Sequence, residues 1–253
     1  WGVFAALGSI VLLATTNQMC QDVAVVPFLW VLPLSLYLIT FIISFDHARW
    51  YHRGIWVPLT TVSVAALVYL LNQDYADVEL HISIQVSIYL SAMFSCCMVC
   101  HGEMVRIKPP PTYLTSFYLV VSLGGAIGGI LVSQVAPRIF TGMWELHLSL
   151  LVVALMISYR VFQDVRSGVI ANRFWMALFG LFWIQVVFTM SFFLWLHIED
   201  QMDGTVAAKR SFYGSLRVYD GNVGKSNHWR ALYHGRINHG RQYLDYDTIR
   251  AKP

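Results

Sequence analysis

Runs of about twenty apolar residues recur along the first 197 positions, and they constrain the fold more than any other feature of the sequence. A helix needs about 20 such residues to cross the hydrocarbon core of a bilayer, which is roughly 30 Å thick. Complete spans are expected at Ala24–Ser44, Ile55–Leu71, Ile82–Cys100, Tyr113–Val135, Trp144–Phe162 and Phe174–His197, and a partial first span at Trp1–Thr16. The sequence therefore predicts an α-helical polytopic membrane protein with six full spans and one partial span.

The charged residues divide the chain at His197. Asp, Glu, Lys and Arg make up only 12% of the residues, about half of their usual share in soluble proteins. Residues 1–197 contain 16 of them, whereas residues 198–253 contain 15, which is an ordinary density for a soluble segment. This distribution excludes a soluble or disordered first part. We predict a transmembrane helical domain over 1–197 and a short extramembrane β-rich segment over 198–253.

Lys and Arg fall mainly in the loops on one side of the predicted spans. Seven lie on that side, against Arg138 alone in the short loops of the other side. The seven are Arg49, Arg53, Arg106, Lys108, Arg160, Arg166 and Arg173. Because cytoplasmic loops are enriched in these residues, we expect the seven-residue side to be cytoplasmic. The last span then delivers the C-terminal tail to the opposite side.

The fifth predicted span contains four glycines, Gly124, Gly125, Gly128 and Gly129. Small residues four positions apart allow helix backbones to approach closely within a bilayer. We interpret these glycines as a helix-packing face, with a substrate path as the alternative.

Three polar residues within or beside the spans are candidates for a membrane site. Asp22 belongs to a polar break, with Asn17 and Gln18, between the first two spans, and broken helices line cavities in transporters. His101 and Glu103 lie at the predicted end of the fourth span, where they are candidates for proton exchange or cation binding. The alternatives are an ordinary loop at Asp22 and an interfacial cap in which Glu103 pairs with Arg106.

Cys97, Cys100 and His101 match the C-x-x-C-H pattern by which c-type haem is attached. The motif lies at the end of an apolar span on the predicted cytoplasmic side, whereas c-type haem is attached outside the cytoplasm. We therefore expect structural thiols, with haem or a metal or redox cluster that includes Cys96 as alternatives. No zinc-ligand spacing appears, and the modest net charge of +3 does not indicate nucleic-acid binding.

The tail contains aromatic and β-branched segments that predict short strands at Ser211–Tyr219, Trp229–Tyr233 and Arg236–Tyr243. Asp220-Gly221-Asn222 predicts a turn after the first of them. A segment of 56 residues without paired cysteines or metal ligands is marginally stable alone. We expect it to pack against a following domain, and we interpret the chain as an internal piece of a longer protein.

Short motifs occur in both parts of the chain. The membrane part contains Leu29-Trp30-Val31-Leu32-Pro33-Leu34, Cys100-His101-Gly102-Glu103-Met104 and Ser122-Leu123-Gly124-Gly125. The tail contains Arg210-Ser211-Phe212-Tyr213-Gly214-Ser215, Leu232-Tyr233-His234-Gly235 and His239-Gly240-Arg241-Gln242. Together they resemble the bacterial family of fused membrane (MFS-like)/spermidine-synthase-like proteins. The resemblance covers the later membrane helices and the start of the aminopropyltransferase-like domain.

The resemblance implies that the tail begins the N-terminal β-domain of an aminopropyltransferase-like module. A Rossmann-like domain would follow and bind decarboxylated S-adenosylmethionine or a relative. By the same resemblance, Tyr213, His234, His239 and Gln242 form one wall of the substrate pocket, while the catalytic residues lie in the following domain. The chain itself is then expected to be non-catalytic and without a cofactor, in a bacterial inner membrane with its tail on the periplasmic side.

Two other functions are compatible with the sequence. The chain is alternatively a non-enzymatic membrane subunit that packs against other helices or subunits of a larger complex, or a transporter of polyamines or related cations. All three interpretations have the lipid bilayer as a partner. The leading interpretation also expects a missing C-terminal Rossmann-like domain as a partner.

Overall fold

A computed structural model describes residues 1–22, 28–72, 80–166, 173–211, 214–235 and 237–244 of the chain. Within these ranges the side chains at positions 22, 164–166 and 173–179 are not described. Seven helices of the described part are long and apolar enough to cross a membrane. The α-helices of the described part are α1 Gly2–Asp22, α2 Phe28–Asp46, α3 Arg53–Leu71, α4 Ile82–Arg106, α5 Leu114–Ile130, α6 Ala136–Ile139, α7 Trp144–Arg166 and α8 Arg173–Met202, and α5 and α6 belong to one span.

The first span is longer than we expected. α1 continues from Gly2 to Asp22, so it is a full-length helix rather than a partial span, and Asn17 and Gln18 lie within its last turns instead of forming a break. The polar residues after Thr16 indicate a loop when the sequence is considered alone. Gln18 is 3% exposed, so packing against other helices overrides its polarity.

α4 also continues beyond its predicted end at Cys100 and reaches Arg106. His101 and Glu103 therefore lie inside the last turns of a helix rather than at its end. Both are fully buried, which explains how a polar stretch can continue a membrane-length helix.

A π-helical turn, Leu131–Val135, joins α5 to the short helix α6. Pro137 stands in the first turn of α6, where its missing N–H removes a backbone hydrogen bond to the preceding turn. The wider π turn accommodates this loss, and the whole segment from Pro111 to Ile139 counts as one span. In α2, Pro33 is buried inside the helix.

α1 lies at the centre of the bundle and packs against α2, α4, α5 and α7. The buried core around it includes Val11, Met19, Leu67, Met93 and Leu146. Large apolar side chains such as Ile42 and Phe188, each 67% exposed, lie on the outer surface. An apolar outer surface of this kind suits hydrocarbon rather than water.

The tail forms one antiparallel sheet of four strands in sequence order. The strands are β1 Thr205–Ser211, β2 Gly214–Gly221, β3 Trp229–His234 and β4 Ile237–Tyr243. The predicted turn follows β2, where Asn222 adopts a left-handed backbone with φ of 56°. The antiparallel pairing is continuous from β1 to β4, with register shifts in the first and last pairs.

The strand prediction needs two corrections. The expected strand Ser211–Tyr219 is divided, because Ser211 ends β1 and Gly214 begins β2. β1 itself was missed, because Thr-Val-Ala-Ala-Lys-Arg-Ser has little intrinsic preference for a strand. Its formation depends on pairing with β2 and on the burial of Arg210, neither of which is visible in the local sequence.

One face of the sheet packs on the helical bundle at the end where α8 leaves it. Arg210 and Ser215 are buried on this face, and they are direct partners in the β1–β2 register. On the opposite face, Leu216 and Leu232 are 45% and 40% exposed. The sheet is therefore fixed to the bundle by one face and presents the other.

Candidate functional site

A cluster of charged side chains surrounds Glu103, which is 1% exposed. Arg53, the first residue of α3, donates from Nε to Oε1 and from Nη2 to Oε2, both at 2.5 Å. Arg160 of α7 brings Nε to 3.2 Å from Oε2, and Arg106 brings Nη1 to 3.8 Å from Oε1. Three guanidinium groups from three helices thus converge on one carboxylate.

Tyr51, between α2 and α3, completes the shell by donating its hydroxyl to Glu103 Oε1 at 2.9 Å. Burial, reinforced by the adjacent carboxylate, raises the pKa of Tyr51 well above its ordinary value, so it remains a donor. Gly102 allows the Tyr51 ring to pack next to Glu103, because a Cβ at position 102 would overlap that ring. The glycine of the Cys-His-Gly-Glu motif thus admits the tyrosine that binds the next residue.

This geometry changes the interpretation of Glu103. Glu103 is already paired with arginines, which disfavours the cation binding that the sequence suggested. The predicted partner Arg106 is the most distant of the three. Sequence analysis did not pair Glu103 with Arg53, fifty positions earlier, or with Arg160, although it placed all three arginines on one side of the bundle.

His101 lies in a separate pocket of the same end, although it stands only two positions from Glu103. Its Nδ1 lies 2.8 Å from the Thr40 hydroxyl, and its ring lies 3.8 Å from the centre of the Phe41 ring and 5.0 Å from that of Tyr37. Its Nε2 forms no hydrogen bond in the described part of the chain, and a Cβ at Gly8 would come to 3.0 Å from it. The two predicted site residues therefore do not share one site.

Cys97 and Cys100 are 0% exposed and belong to the bundle core. The Cys97 thiol points to the carbonyl of Gly8 at 3.8 Å, while the ring of His101 is enclosed by α1 and α2. A haem ring needs open space beside both thiols and the histidine, and this packing leaves none. The arrangement favours structural thiols, and the described residues contain no group of three or more ligands arranged for a metal.

A second buried ion pair joins the sheet to the helices. Arg210 of β1 donates from Nη1 and Nη2 to the two oxygens of Glu145, at 2.7 and 2.5 Å, and from Nη1 to the carbonyl of Gly142. The two side chains are 2% and 6% exposed. Glu145 stands in the first turn of α7, where the helix dipole also favours a carboxylate.

Two buried histidines lie at the same end of the bundle, one in the first turn of α7 and one near the end of α8. The rings of His147 and His197 stack at 5.1 Å with an angle of 13° between their planes, and both residues are buried. His197 Nε2 lies 2.8 Å from the side-chain nitrogen of Gln201, and Gln201 also accepts a hydrogen bond from Arg217 of β2. The C-terminal end of α8 is thereby connected to the sheet.

α1 provides the other attachment of the sheet. Ser215 of β2 donates its hydroxyl to Gln21 Oε1 at 3.2 Å, and Gly235, at the turn after β3, packs against the carbonyl of Gln21. Gly235 has a φ of 57°, so a larger residue would be strained as well as crowded. The neighbouring candidate Asp22 lies at the end of α1, with its side chain outside the described part.

His234 and His239, two of the pocket-wall residues implied by the resemblance, lie on β3 and β4 on either side of the turn that joins them, and Gln242 lies on β4. The rings of His234 and His239 are 5.9 Å apart across the β3–β4 turn, and Gln242 is opposite Arg230 in the register. Tyr213 lies outside the described residues. Near Gln242, a hydrogen bond from Arg230 and its charge lower the pKa of Asp220, and the two side chains form an ion pair at the sheet surface across β2 and β3.

The four glycines of α5 divide into two pairs. A Cβ at Gly124 would overlap the carbonyl of Gly2, and one at Gly128 would overlap the carbonyl of Ala6, so these two lie directly against α1. At Gly125 and Gly129 the nearest atoms of α1 would be 3.4 and 3.9 Å away, which is ordinary contact. Close helix contact therefore depends on Gly124 and Gly128.

No protein-family model, curated protein or solved structure matches this chain. The geometry of the residues described above is therefore the basis for a functional proposal.

Proposed function

We propose that this chain is a membrane-integral anchoring module, the membrane part of a spermidine-synthase-like protein, and that it is not itself catalytic. The observation that carries the proposal is the buried Arg210–Glu145 pair, which fixes the first strand of the tail to α7. A freely tethered tail would not need to bury two charges. The cost of burying them is offset here by a bidentate geometry and a further bond to the Gly142 carbonyl.

The two faces of the sheet support the same role. Its docked face is bonded to α1, α7 and α8 through Ser215, Arg210 and Arg217. Its outer face leaves Leu216 and Leu232 exposed, which is a suitable surface for a following aminopropyltransferase-like domain. Such a domain would be held at a fixed distance from the bilayer, in a bacterial inner membrane with the tail on the periplasmic side.

A non-enzymatic membrane subunit is the second candidate. A groove of about 590 Å³ between α3, α7 and α8 is lined mainly by apolar side chains and opens on the outer surface of the bundle. A neighbouring subunit or lipid chain would fill it. The sequence after Pro253 distinguishes the two candidates, because an enzyme needs a nucleotide-binding βαβ unit with acidic residues and a subunit does not.

The two buried carboxylates of the described residues, Glu103 and Glu145, do not favour a polyamine transporter. A polyamine cation needs a negative group that is available to it, whereas Glu103 and Glu145 are already paired with arginines. Unchanged polyamine uptake by a Glu103→Gln variant would agree with the anchoring role.

The anchoring role is tested by replacing Arg210 with methionine in the full chain. We expect faster amide hydrogen exchange across β1 and cleavage by protease near Gly204, because Glu145 is left buried without its partner, a change that costs about 3–5 kcal/mol. Arg230→Gln is the matched control, because it removes an ion pair of the same sheet that does not touch the helices.

The double variant Arg210→Met with Glu145→Met removes both charges and should restore much of the protection. If Arg210→Met leaves exchange in β1 and cleavage at Gly204 as in the parent protein, the sheet is not held by this pair and the anchoring proposal fails.

A further inference from the structure

The groove between α3, α7 and α8 has the size of a small-molecule site. Its volume of about 590 Å³ falls within the range of roughly 300–1,000 Å³ that is typical of ligand pockets. Its floor consists of buried apolar side chains, among them Val64, Val68, Val153 and Met190. Because the groove opens on the outer surface of the bundle, a molecule dissolved in the bilayer would enter it sideways from the lipid.

The described residues that line this groove carry no charge. None of them is Asp, Glu, Lys, Arg or His, so an ammonium, a carboxylate or a phosphate would find no counter-ion there. Burial of an uncompensated charge in surroundings of low dielectric is strongly unfavourable. The occupant that suits the groove is therefore an uncharged molecule, which excludes polyamines, nucleotides and phospholipid headgroups.

Two polar side chains of α8, Gln185 and Thr189, line the groove one helical turn apart. Gln185 lies about 18 Å along the helix axis from Arg173 and about 26 Å from Met202, since an α-helix rises about 1.5 Å per residue. Gln185 is exposed on the bundle surface, and Thr189 is half-buried. Where α8 crosses a hydrocarbon core roughly 30 Å thick, this level is remote from water, so both side chains need partners other than solvent.

These two side chains bond to each other and keep further hydrogen-bonding capacity. Gln185 Nε2 donates to Thr189 Oγ1 at 3.0 Å. Within the described part of the chain, no donor reaches Gln185 Oε1 and the Thr189 hydroxyl donates to no acceptor. By contrast, the hydroxyl of Thr61, on the α3 wall, donates to the carbonyl of Val57. An open acceptor and an open donor thus lie side by side in an apolar groove, where an unpaired polar group is costly.

We propose that this groove binds a neutral lipid alcohol, whose hydroxyl donates to Gln185 Oε1 and accepts from the Thr189 hydroxyl. A hydroxyl matches this pair because its oxygen both donates and accepts. A ketone or an ester only accepts, so it would leave Gln185 Oε1 without a donor. The hydrocarbon part of the alcohol would lie on the apolar floor. The inference goes beyond the anchoring role and shares with it only the requirement that the helices lie in a bilayer.

The experiment uses the full chain in phosphatidylcholine nanodiscs with a long-chain alcohol that carries a photoreactive diazirine. After illumination, mass spectrometry of the peptides locates and quantifies the label. We expect label on α3, α7 and α8, and we expect 1-octadecanol to displace it at lower concentration than octadecane or the charged octadecylamine does. Equal displacement by the three compounds would overturn the proposal, because the groove would then accept any chain. Label spread evenly over all lipid-facing helices would overturn it as well.

Thr189→Val removes the hydroxyl with little change of shape. We expect about fivefold weaker displacement by 1-octadecanol, the factor that corresponds to the loss of one hydrogen bond. Gln185→Leu should weaken displacement in the same direction. Thr61→Val is the matched control within the groove and should behave as the parent protein, because that hydroxyl is already bonded to the Val57 carbonyl. Displacement as in the parent protein for both Thr189→Val and Gln185→Leu would overturn the proposal.

Two further measurements separate this proposal from the anchoring role. Melting temperatures in detergent establish that the groove variants are folded. Amide hydrogen exchange in β1 reports the anchoring role, and we expect it to be the same in the groove variants and the parent protein. Loss of alcohol binding with unchanged exchange in β1 would thus support the groove proposal by itself, whereas exchange in β1 that is fast in every variant and in the parent would contradict the anchoring role alone.

Discussion

Glu103 shows how a carboxylate is kept inside a helical bundle. Its two oxygens receive a bidentate bond from Arg53, a hydroxyl from Tyr51 and a close guanidinium from Arg160. These partners replace the water that the carboxylate loses on burial. The residue is consequently a meeting point of α3, α4 and α7, and it contributes to the position of three helix ends.

Tyr51→Phe tests how much one of these partners, the Tyr51 hydroxyl, stabilises the buried carboxylate of Glu103. The variant keeps the ring packed on Gly102 and removes only the hydroxyl, so we expect the free energy of unfolding to fall by about 1.5–3 kcal/mol, the usual contribution of a hydrogen bond to a charged group. Thermal unfolding in detergent measures it. Tyr159→Phe is the control, because that side chain is 59% exposed, and equal melting temperatures for the two variants would contradict the prediction.

The sequence identified Glu103 as a candidate site residue, but it did not identify the main partner of Glu103 or of Glu145. Arg53 is 50 positions from Glu103, and Arg210 is 65 positions from Glu145. Such ion pairs form only where particular faces of two elements pack together. A local sequence pattern does not show which faces these are. The one partner predicted from local spacing, Arg106, makes the longest of the contacts around Glu103.

At the scale of elements, the contact between α1 and α5 depends on two glycines. Gly124 and Gly128 are buried against the backbone of α1, whereas Gly125 and Gly129 point beside it. The spacing of four residues in the sequence predicted a packing face without distinguishing the two pairs. The choice between them depends on the rotation of α5, which the contact with α1 determines.

Gly128→Ala should destabilise the bundle, because the added methyl would overlap the Ala6 carbonyl and backbone cannot move aside as a side chain can. We expect a loss of about 1–3 kcal/mol, as for overpacked cores. Gly129→Ala is the matched control, since its nearest atom would be 3.9 Å away and alanine favours a helix. Melting temperatures of the two variants in the same detergent provide the comparison, and a stable Gly128→Ala protein would exclude the contact.

The long helices were predictable because their signal is local. Bilayer thickness requires about 20 apolar residues in succession, and that count is visible in α3 and α7 without any knowledge of their neighbours. The ends of α1 and α4 were not predictable in the same way, since Gln18, His101 and Glu103 continue helices only because other helices bury them. β1 was missed for the same reason.

At the scale of the whole molecule, the two ends of the bundle carry different features. One end holds the Glu103 cluster and the basic turns around it, and the other end holds the sheet through Arg210 and Gln21. The predicted orientation places the first end in the cytoplasm. The sheet and its outer face would then lie in the periplasm. Polyamine synthesis uses cytosolic substrates, so this orientation does not suit an active polyamine synthase.

Cysteine labelling measures this orientation in intact cells. We expect a membrane-impermeant maleimide to label Lys225→Cys, in the exposed loop after β2, and to label Lys108→Cys only after the cells are opened. The four natural cysteines are buried and provide an unlabelled background. The reverse pattern would place the tail in the cytoplasm and would favour an active polyamine synthase.

The central position of α1 has a consequence for biosynthesis. The helix is made first among those described, yet its partners in α4, α5 and α7 follow later in the chain. Roughly a hundred residues separate it from Gly128, which corresponds to about 5–20 s of translation. During that interval the polar residues of α1 and its face toward α5 have no packing partners from the later helices. We expect the insertion machinery to cover them until those helices are made.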